Sequence, residues 1–230
     1  MANGGGKLSE ELYPRVEIRG TVIGMHHSHR SAIGRRNDIY ILVDGLEAVN
    51  TSNAIYLRTG IRWNNGKMGY LRNITLSNIK VEVPATKADA GYSYEGPIED
   101  LPRNISPSGI VGIPELPIEN VILKNVEIIY PGGGNKLYAY RGTSDEELDS
   151  IPEMKDVYPE FSQFKELPSW GLFIRHAKGI TLDNVRLVAG AKDYRPAIVA
   201  DDVDGLVIKN LKTDEPSSKG KKQVVKRNVR

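Results

Sequence analysis

The sequence contains no cysteine, which excludes a disulfide-stapled scaffold and any metal site built from thiolates. It also lacks the run of about 20 apolar residues that a membrane-spanning helix needs. Its opening stretch, residues 1–15, has no apolar core of the kind found in secretory signals. We therefore expect no membrane partner and no signal peptide on this chain, and we interpret residues 1–15 as a flexible lead or a truncated first turn of the fold.

The sequence also has no large excess of positive or negative charge, because the formal net charge is only +2 over 230 residues. A near-neutral balance argues against nucleic acid as the main partner, since neutralising many phosphates needs a concentrated basic surface. We interpret residues 216–230 as a solvated basic tail. Its cations are Lys219, Lys221, Lys222, Lys226, Arg227 and Arg230.

What the sequence does contain is an internal repeat. Four segments share the order apolar, any, apolar, polar, Asn, apolar, charged, and this alternation with period two is typical of β-strands. The chain is long enough, and at 40% hydrophobic residues apolar enough, to bury a core as one domain. The segments begin at Asn73, Asn120, Gly179 and Gly205.

Each repeat carries an asparagine directly before a second alternating run, where a strand would bend. Asparagine tolerates left-handed backbone angles, and its amide can bond the equivalent amide one turn away, so we predict a stacked ladder. The intervals between the asparagines are 47, 59 and 26 residues, of which the shortest is close to one bare turn of a solenoid. The ladder positions are Asn78, Asn125, Asn184 and Asn210.

The longer intervals predict insertions, which leave a solenoid as loops on its outside. The sequence therefore predicts an all-β, right-handed parallel β-helix of the pectin-lyase-like type over residues 16–215, with long loops at 84–117 and 131–168. A short helix is predicted near 145–148, and further strands at 16–23, 38–43 and 54–57, for roughly six turns in all. The alternative architecture is a β-sandwich, which would need hairpin turns at more regular spacing.

Several motifs resemble the polygalacturonase-like glycoside hydrolases of family 28, over about residues 20–213 and the C-terminal half of that family's β-helix. They are Ala54-Ile-Tyr-Leu-Arg-Thr-Gly, Gly69-Tyr-Leu-Arg-Asn-Ile-Thr-Leu, Tyr158-Pro-Glu-Phe-Ser, Trp170-Gly-Leu-Phe-Ile-Arg-His and Arg195-Pro-Ala-Ile-Val. The resemblance implies inverting hydrolysis of a galacturonate-containing pectic polysaccharide, without a cofactor, by a periplasmic or extracellular protein.

The same resemblance implies roles for individual residues. His29-Arg-Ser-Ala-Ile-Gly is similar to the stretch around the family's histidine and gives His29 a supporting catalytic role. Arg58 stands where the family has a lysine that grips the substrate carboxylate, with Arg62 as its substitute partner. The alternative to substrate binding by Arg58 is a structural contact with the loop at 61–66. Trp63 in that loop either stacks against a sugar or packs as a loop anchor.

The family's catalytic aspartate motifs have no counterpart before His29. Glu10-Glu11 is the wrong residue type, and Asp201-Asp202 follows the Arg58 segment instead of preceding His29, so we interpret it as a turn position. If the family register holds, the acids belong upstream of residue 1 and this chain supplies the binding half of a cleft. The open end would expose a sheet edge and favour a homo-oligomer.

Two other functions stay open. A non-catalytic carbohydrate-binding β-helix would use Trp63, Tyr92 and Tyr94, whereas a β-helical polysaccharide lyase would need a base and a calcium site, for which no acidic cluster stands out. The histidines at 26, 27 and 29 lack nearby ligands of other types, so we expect no metal. We interpret His176 as a structural residue.

Overall fold

A computed structural model describes residues 17–22, 41–51, 53–61, 69–85, 104–157, 161–164 and 166–230. Most of these residues lie in β-strands. The two short helices are α1 (Asp145–Asp149) and a 3-10 helix (Phe161–Phe164). None of the described helices is long and apolar enough to cross a membrane. The strands are β1 (Glu17–Val22), β2 (Ile41–Val49), β3 (Tyr56–Arg58), β4 (Arg72–Glu82), β5 (Ser108–Val111), β6 (Ile118–Gly132), β7 (Leu172–Ala191), β8 (Ile198–Lys209), β9 (Lys212–Asp214) and β10 (Val224–Val229).

The strands pair in parallel from β2 onward. Strands β2, β4, β6 and β7 are successive neighbours, β5 links β3 to β7, and β8 links β7 to β10, while β9 pairs with the end of β7. Among the described strands, β1 on β2 is the one antiparallel pair. The all-β prediction is confirmed, and the hairpins of a sandwich do not fit this parallel pairing.

The four repeated segments stack directly on one another. Ile74 pairs with Val121, Val121 with Ile180 and Ile180 with Leu206, so equivalent positions of the repeat form a continuous row across β4, β6, β7 and β8. The inward rows of β4, β6 and β7 are almost completely buried, and each fully buried aliphatic side chain stabilises the fold by roughly 1.5–3 kcal/mol. These buried residues are Ile74, Leu76, Val121, Leu123, Ile180 and Leu182.

An asparagine ladder marks the corner where the repeated strands bend. Asn78, Asn125, Asn184 and Asn210 all have φ between 53° and 55°. Asn184 Nδ2 donates to Asn125 Oδ1 at 2.8 Å, and Asn125 Nδ2 donates to Asn78 Oδ1 at 2.9 Å. The predicted ladder is confirmed for Asn78, Asn125 and Asn184. Asp44 ends it by accepting a hydrogen bond from Asn78 Nδ2 at 2.8 Å.

Two further columns of left-handed residues bend the chain. The first contains Asn73, Asn120, Gly179 and Gly205, with Asn120 Nδ2 donating to Asn73 Oδ1 at 3.1 Å. The second, which we call the histidine corner, aligns His176, Asp202 and Asn228, with φ of 48°, 54° and 51°. Because β7 passes all three columns, its 20 residues bend at His176, Gly179 and Asn184.

The ladder yields a stability prediction. Asn125→Ala removes two ladder hydrogen bonds and leaves alanine at φ 53°, so we expect the free energy of unfolding to fall by roughly 2–3 kcal/mol in urea titrations. Asn125→Gly tolerates the backbone angle and loses only the amide, so its loss should be clearly smaller. Equal losses in the two variants would contradict the contribution of left-handed strain.

The insertion between β6 and β7 packs on one face of the sheet. Helix α1 begins with a capping box in which Ser144 and Glu147 exchange hydrogen bonds, and it confirms the short helix predicted near 145–148. The helix and the chain after it bury a second apolar cluster against β5, β7 and β8. This cluster contains Leu148, Ile151, Phe164 and Leu167 of the insertion with Val111, Phe173 and Val199 of the sheet.

The basic C-terminal segment departs from the prediction of a solvated tail. Residues 224–229 form β10, which pairs in parallel with β8. Val224 and Val229 pack against the main core, and Arg227 donates two hydrogen bonds to the buried Asp201. The alternation of valines with polar residues therefore outweighs the local excess of positive charge.

Candidate functional site

Three arginines on different strands occupy one row of the sheet and hold the insertion. Register places Arg58 of β3, Arg175 of β7 and Arg227 of β10 in this arginine row, together with Val111 and Asp201. Each arginine donates to backbone carbonyls of the insertion. Arg227 Nη1 reaches Asp145 O at 2.8 Å, Arg175 Nη1 reaches Ile151 O at 2.8 Å, and Arg58 Nη2 reaches the carbonyls of Glu153, at 3.0 Å, and Met154.

Asp201 neutralises the middle of this row. Its carboxylate is only 1% exposed and accepts from Arg227 Nε at 2.7 Å and Nη2 at 2.8 Å, while Arg175 Nε lies 3.4 Å away. These contacts raise the pKa of Arg227 above its ordinary value, chiefly through the hydrogen bond with Asp201. A buried carboxylate with two cationic partners fixes the backbone immediately before the histidine corner.

At the histidine corner, one imidazole lies between two carboxylates. His176 Nδ1 is 2.7 Å from Asp202 Oδ2, and His176 Nε2 is 3.0 Å from Glu153 Oε1. We call these three residues the carboxylate–imidazole array. Glu153 comes from the insertion and also pairs with Arg175 Nη2 at 3.1 Å, which links the array to the arginine row.

The array differs in exposure from the rest of the network. The His176 side chain is 9% exposed, whereas the side chains of Glu153 and Asp202 are 28% and 59% exposed, so both carboxylates reach solvent. Lys155 forms an ion pair with Glu115 nearby, and that hydrogen bond lowers the pKa of Glu115. The corner is therefore a charged, solvent-facing edge of the sheet.

Hydrogen-bond chemistry limits which protonation states satisfy the contacts of the array. A neutral imidazole has one N–H donor and one acceptor nitrogen, and an ionised carboxylate only accepts. Contacts to a carboxylate at both nitrogens are satisfied when the imidazole carries two protons, or when one carboxyl group is protonated.

Arg58 is the one predicted substrate-binding residue within the described part of the chain. Besides its contacts with the insertion, its guanidinium lies 4.5 Å over the Phe164 ring. Its Nη1 atom is buried without a hydrogen-bond partner among the described residues, and burial lowers the pKa of Arg58. The predicted grip on a substrate carboxylate stays a prediction.

The other predicted positions lie outside the described residues. These are His29, Arg62 and Trp63, together with Tyr92 and Tyr94. Asp201 and Asp202 lie within β8, and Asp202 has φ 54° at the histidine corner.

Sequence reasoning missed the array, although part of it left a signal. His176 and Asp202 are 26 residues apart, the same interval that separates Asn184 from Asn210, so the repeat alone places them on adjacent strands. Glu153 left no such signal because it lies in the insertion, outside the period of the repeat.

No family model, curated protein or solved structure matches the chain. The resemblance to polygalacturonase-like hydrolases therefore rests on the sequence motifs themselves. Within the described ranges, no three His, Asp or Glu side chains are grouped so that they could hold a metal ion.

Proposed function

We propose that the protein is a right-handed parallel β-helix of the polygalacturonase type that hydrolyses a galacturonate-containing polysaccharide. Three features support the solenoid: parallel pairing from β2 to β10, rows in register across the repeats, and columns of left-handed residues at the bends. The choice of a pectic substrate rests on the family resemblance of the motifs.

The two solvent-reaching carboxylates of the carboxylate–imidazole array, at 2.7 Å and 3.0 Å from His176, are the observation that carries the hydrolytic part. In inverting glycoside hydrolysis, a carboxylic acid protonates the leaving glycosidic oxygen while a carboxylate removes a proton from the attacking water. The bond between the anomeric carbon and the leaving oxygen breaks as the water oxygen bonds to that carbon. In this proposal Glu153 and Asp202, which both reach solvent beside His176, take the acid and base roles for which the family's aspartate motifs have no counterpart in this chain.

Polygalacturonate incubated with the purified chain tests this proposal. New reducing ends without an unsaturated product are expected, and Glu153→Gln or Asp202→Asn should each lower the rate by roughly 10²-fold or more. Asp214→Asn is the matched control, because Asp214 is an exposed carboxylate that pairs with Arg186 away from the array. The control should cleave at the wild-type rate.

Three results would count against this assignment. Absorbance from a new carbon–carbon double bond would identify a lyase. Undiminished cleavage by both array variants would remove Glu153 and Asp202 from the chemistry. Loss of cleavage together with a lowered unfolding midpoint would assign them a structural role, so urea midpoints are measured for all four proteins.

A non-catalytic carbohydrate-binding module is the second candidate. It is favoured because both array carboxylates already contact His176, and Glu153 also pairs with Arg175. Retention of the chain on immobilised polygalacturonate without either kind of product would support this module.

A further inference from the structure

A second surface feature lies in the chain just before β8 and at the start of the insertion. The rings of Tyr140 and Tyr194 are 5.5 Å apart at an angle of 46°, and the Tyr140 side chain is exposed. Lys136 Nζ lies 5.6 Å from the Tyr140 ring centre and 5.8 Å from that of Tyr194. We call Lys136, Tyr140 and Tyr194 the tyrosine platform.

Hydrogen bonds fix the loop that carries Lys136 and Tyr140. The buried Asn104 accepts from Asn135 N at 2.7 Å and donates from Nδ2 to Asn135 O at 3.0 Å. Gly134 N donates to Asp193 Oδ2 at 3.0 Å. The loop is therefore tied to the body of the protein at Gly134 and Asn135, immediately before Lys136.

The Tyr194 hydroxyl is held by a buried carboxylate. Its hydroxyl donates to Glu166 Oε1 at 2.5 Å, and Asn104 Nδ2 donates to the same oxygen at 2.9 Å. Burial raises the pKa of Glu166, and the pKa of Tyr194 is raised by burial and by its contact with Glu166. These contacts occupy the Tyr194 hydroxyl, and Arg195 Cζ lies 5.8 Å from the centre of its ring, so the exposed Tyr140 ring is the main surface offered to a ligand.

The charged residues near the platform include buried acids and exposed lysines. Glu166 and Asp193 are buried, and Arg195 lies against both of them. Lys136 and Lys192 are exposed. An apolar ring surface beside an exposed ammonium group is complementary to a ligand that has both an apolar face and a negative charge.

We propose that the tyrosine platform is a carbohydrate-binding subsite that takes an acidic sugar residue. The C–H face of the pyranose packs on the tyrosine rings, and Lys136 pairs with the sugar carboxylate. The subsite is built from residues other than the carboxylate–imidazole array, so it binds the polymer independently of cleavage. The choice of a uronic acid rests on the function proposed above.

Calorimetric titration of the full chain with a galacturonate trisaccharide tests the subsite, using the Glu153→Gln variant so that cleavage does not consume the ligand. Tyr140→Ala is expected to weaken binding roughly three- to tenfold, while Tyr140→Phe retains it because the ring remains. Lys136→Met should weaken binding of the acidic trisaccharide and leave binding of a neutral galactose trisaccharide unchanged.

Tyr70→Ala is the matched control. Tyr70 is also an exposed tyrosine with a cation near its ring, since Arg72 Cζ lies 5.4 Å from the ring centre, but it is not part of the platform. Its variant should bind like the parent. Unchanged binding in Tyr140→Ala, or equal losses in Tyr140→Ala and Tyr70→Ala, would overturn the subsite.

Two further outcomes separate this inference from the proposed function. Loss of trisaccharide binding in Tyr140→Ala supports the subsite even if the wild-type chain cleaves nothing, whereas cleavage with normal binding in Tyr140→Ala refutes the subsite alone. Single-stranded DNA that binds as tightly as the trisaccharide, and is lost in Tyr140→Ala, would identify a base-stacking surface and overturn the sugar assignment.

Discussion

Gly112→Ala is expected to lower the free energy of unfolding by about 3–5 kcal/mol. A Cβ atom at Gly112 would lie 2.2 Å from the carbonyl oxygen of His176, 2.9 Å from Pro117 Cα and 3.0 Å from Ile118 N. All three contacts are to backbone atoms, so no side-chain rotation relieves them. The strands must separate at the histidine corner, which also weakens the hydrogen bond from Gly112 N to Arg175 O, now 2.9 Å.

Two other glycines provide graded controls for this experiment. Gly69 has open space where an added methyl group would lie and no left-handed φ, so Gly69→Ala should change the free energy of unfolding by less than about 0.5 kcal/mol. Gly45 also has open space but φ of 72°, so Gly45→Ala isolates backbone strain of about 1–2 kcal/mol. If Gly112→Ala lowers the free energy of unfolding no more than Gly45→Ala does in urea titrations, the close backbone contact at the histidine corner does not destabilise the variant.

The parts of the fold that the sequence predicts correctly are those with a local and repeated signal. Apolar residues at alternate positions define the buried rows, and an asparagine at a fixed place in each repeat defines the first corner. Asparagine serves there for two reasons at once, because it accepts left-handed angles and because its amide both donates and accepts along the column. A pattern with a double physical cause is easy to recognise.

The histidine corner was not predicted because its residues share a backbone angle and not a residue type. His176, Asp202 and Asn228 all have positive φ, but no single side chain repeats among them. Their spacing of 26 residues was visible in the sequence. Only the known register turns that spacing into a contact between His176 and Asp202.

Contacts between the insertion and the sheet lay beyond sequence reasoning altogether. An insertion has no period, so nothing in the chain indicates that Glu153 reaches His176 or that Arg227 reaches Asp149. The prediction of a solvated tail for the basic C-terminal segment was wrong for a related reason. Its composition predicts a solvated tail, whereas the structure uses Arg227 to neutralise Asp201, a partner that only the folded chain brings near.

Arg195→Met is expected to lower the free energy of unfolding at neutral pH by about 3–5 kcal/mol, because it leaves a buried carboxylate without its counter-ion. The Arg195 side chain is 2% exposed and donates from Nε at 3.0 Å and Nη2 at 2.9 Å to Asp193, whose side chain is fully buried. Its Nη1 also donates to Ile105 O at 3.1 Å. Arg186→Met is the matched control, since Arg186 likewise bridges two acids, Glu127 and Asp214, but at the surface, and its loss should leave the free energy of unfolding nearly unchanged.

The pH dependence of this variant tests the cause. Burial alone would raise the pKa of Asp193, but the hydrogen bonds and charge of Arg195 outweigh it and hold the pKa below the ordinary 3.8. In the wild type, Asp193 therefore contributes stability that is complete above pH 3.8 and is lost as the pH falls through its lowered pKa. Without Arg195, burial raises the pKa of Asp193 above its unfolded value, so the variant loses stability as the pH rises through that higher pKa. The difference in free energy of unfolding between the wild type and Arg195→Met should accordingly widen from about pH 4 to about pH 7 in urea titrations, and a difference that stays constant would show that lost packing, and not the uncompensated charge, causes the destabilisation.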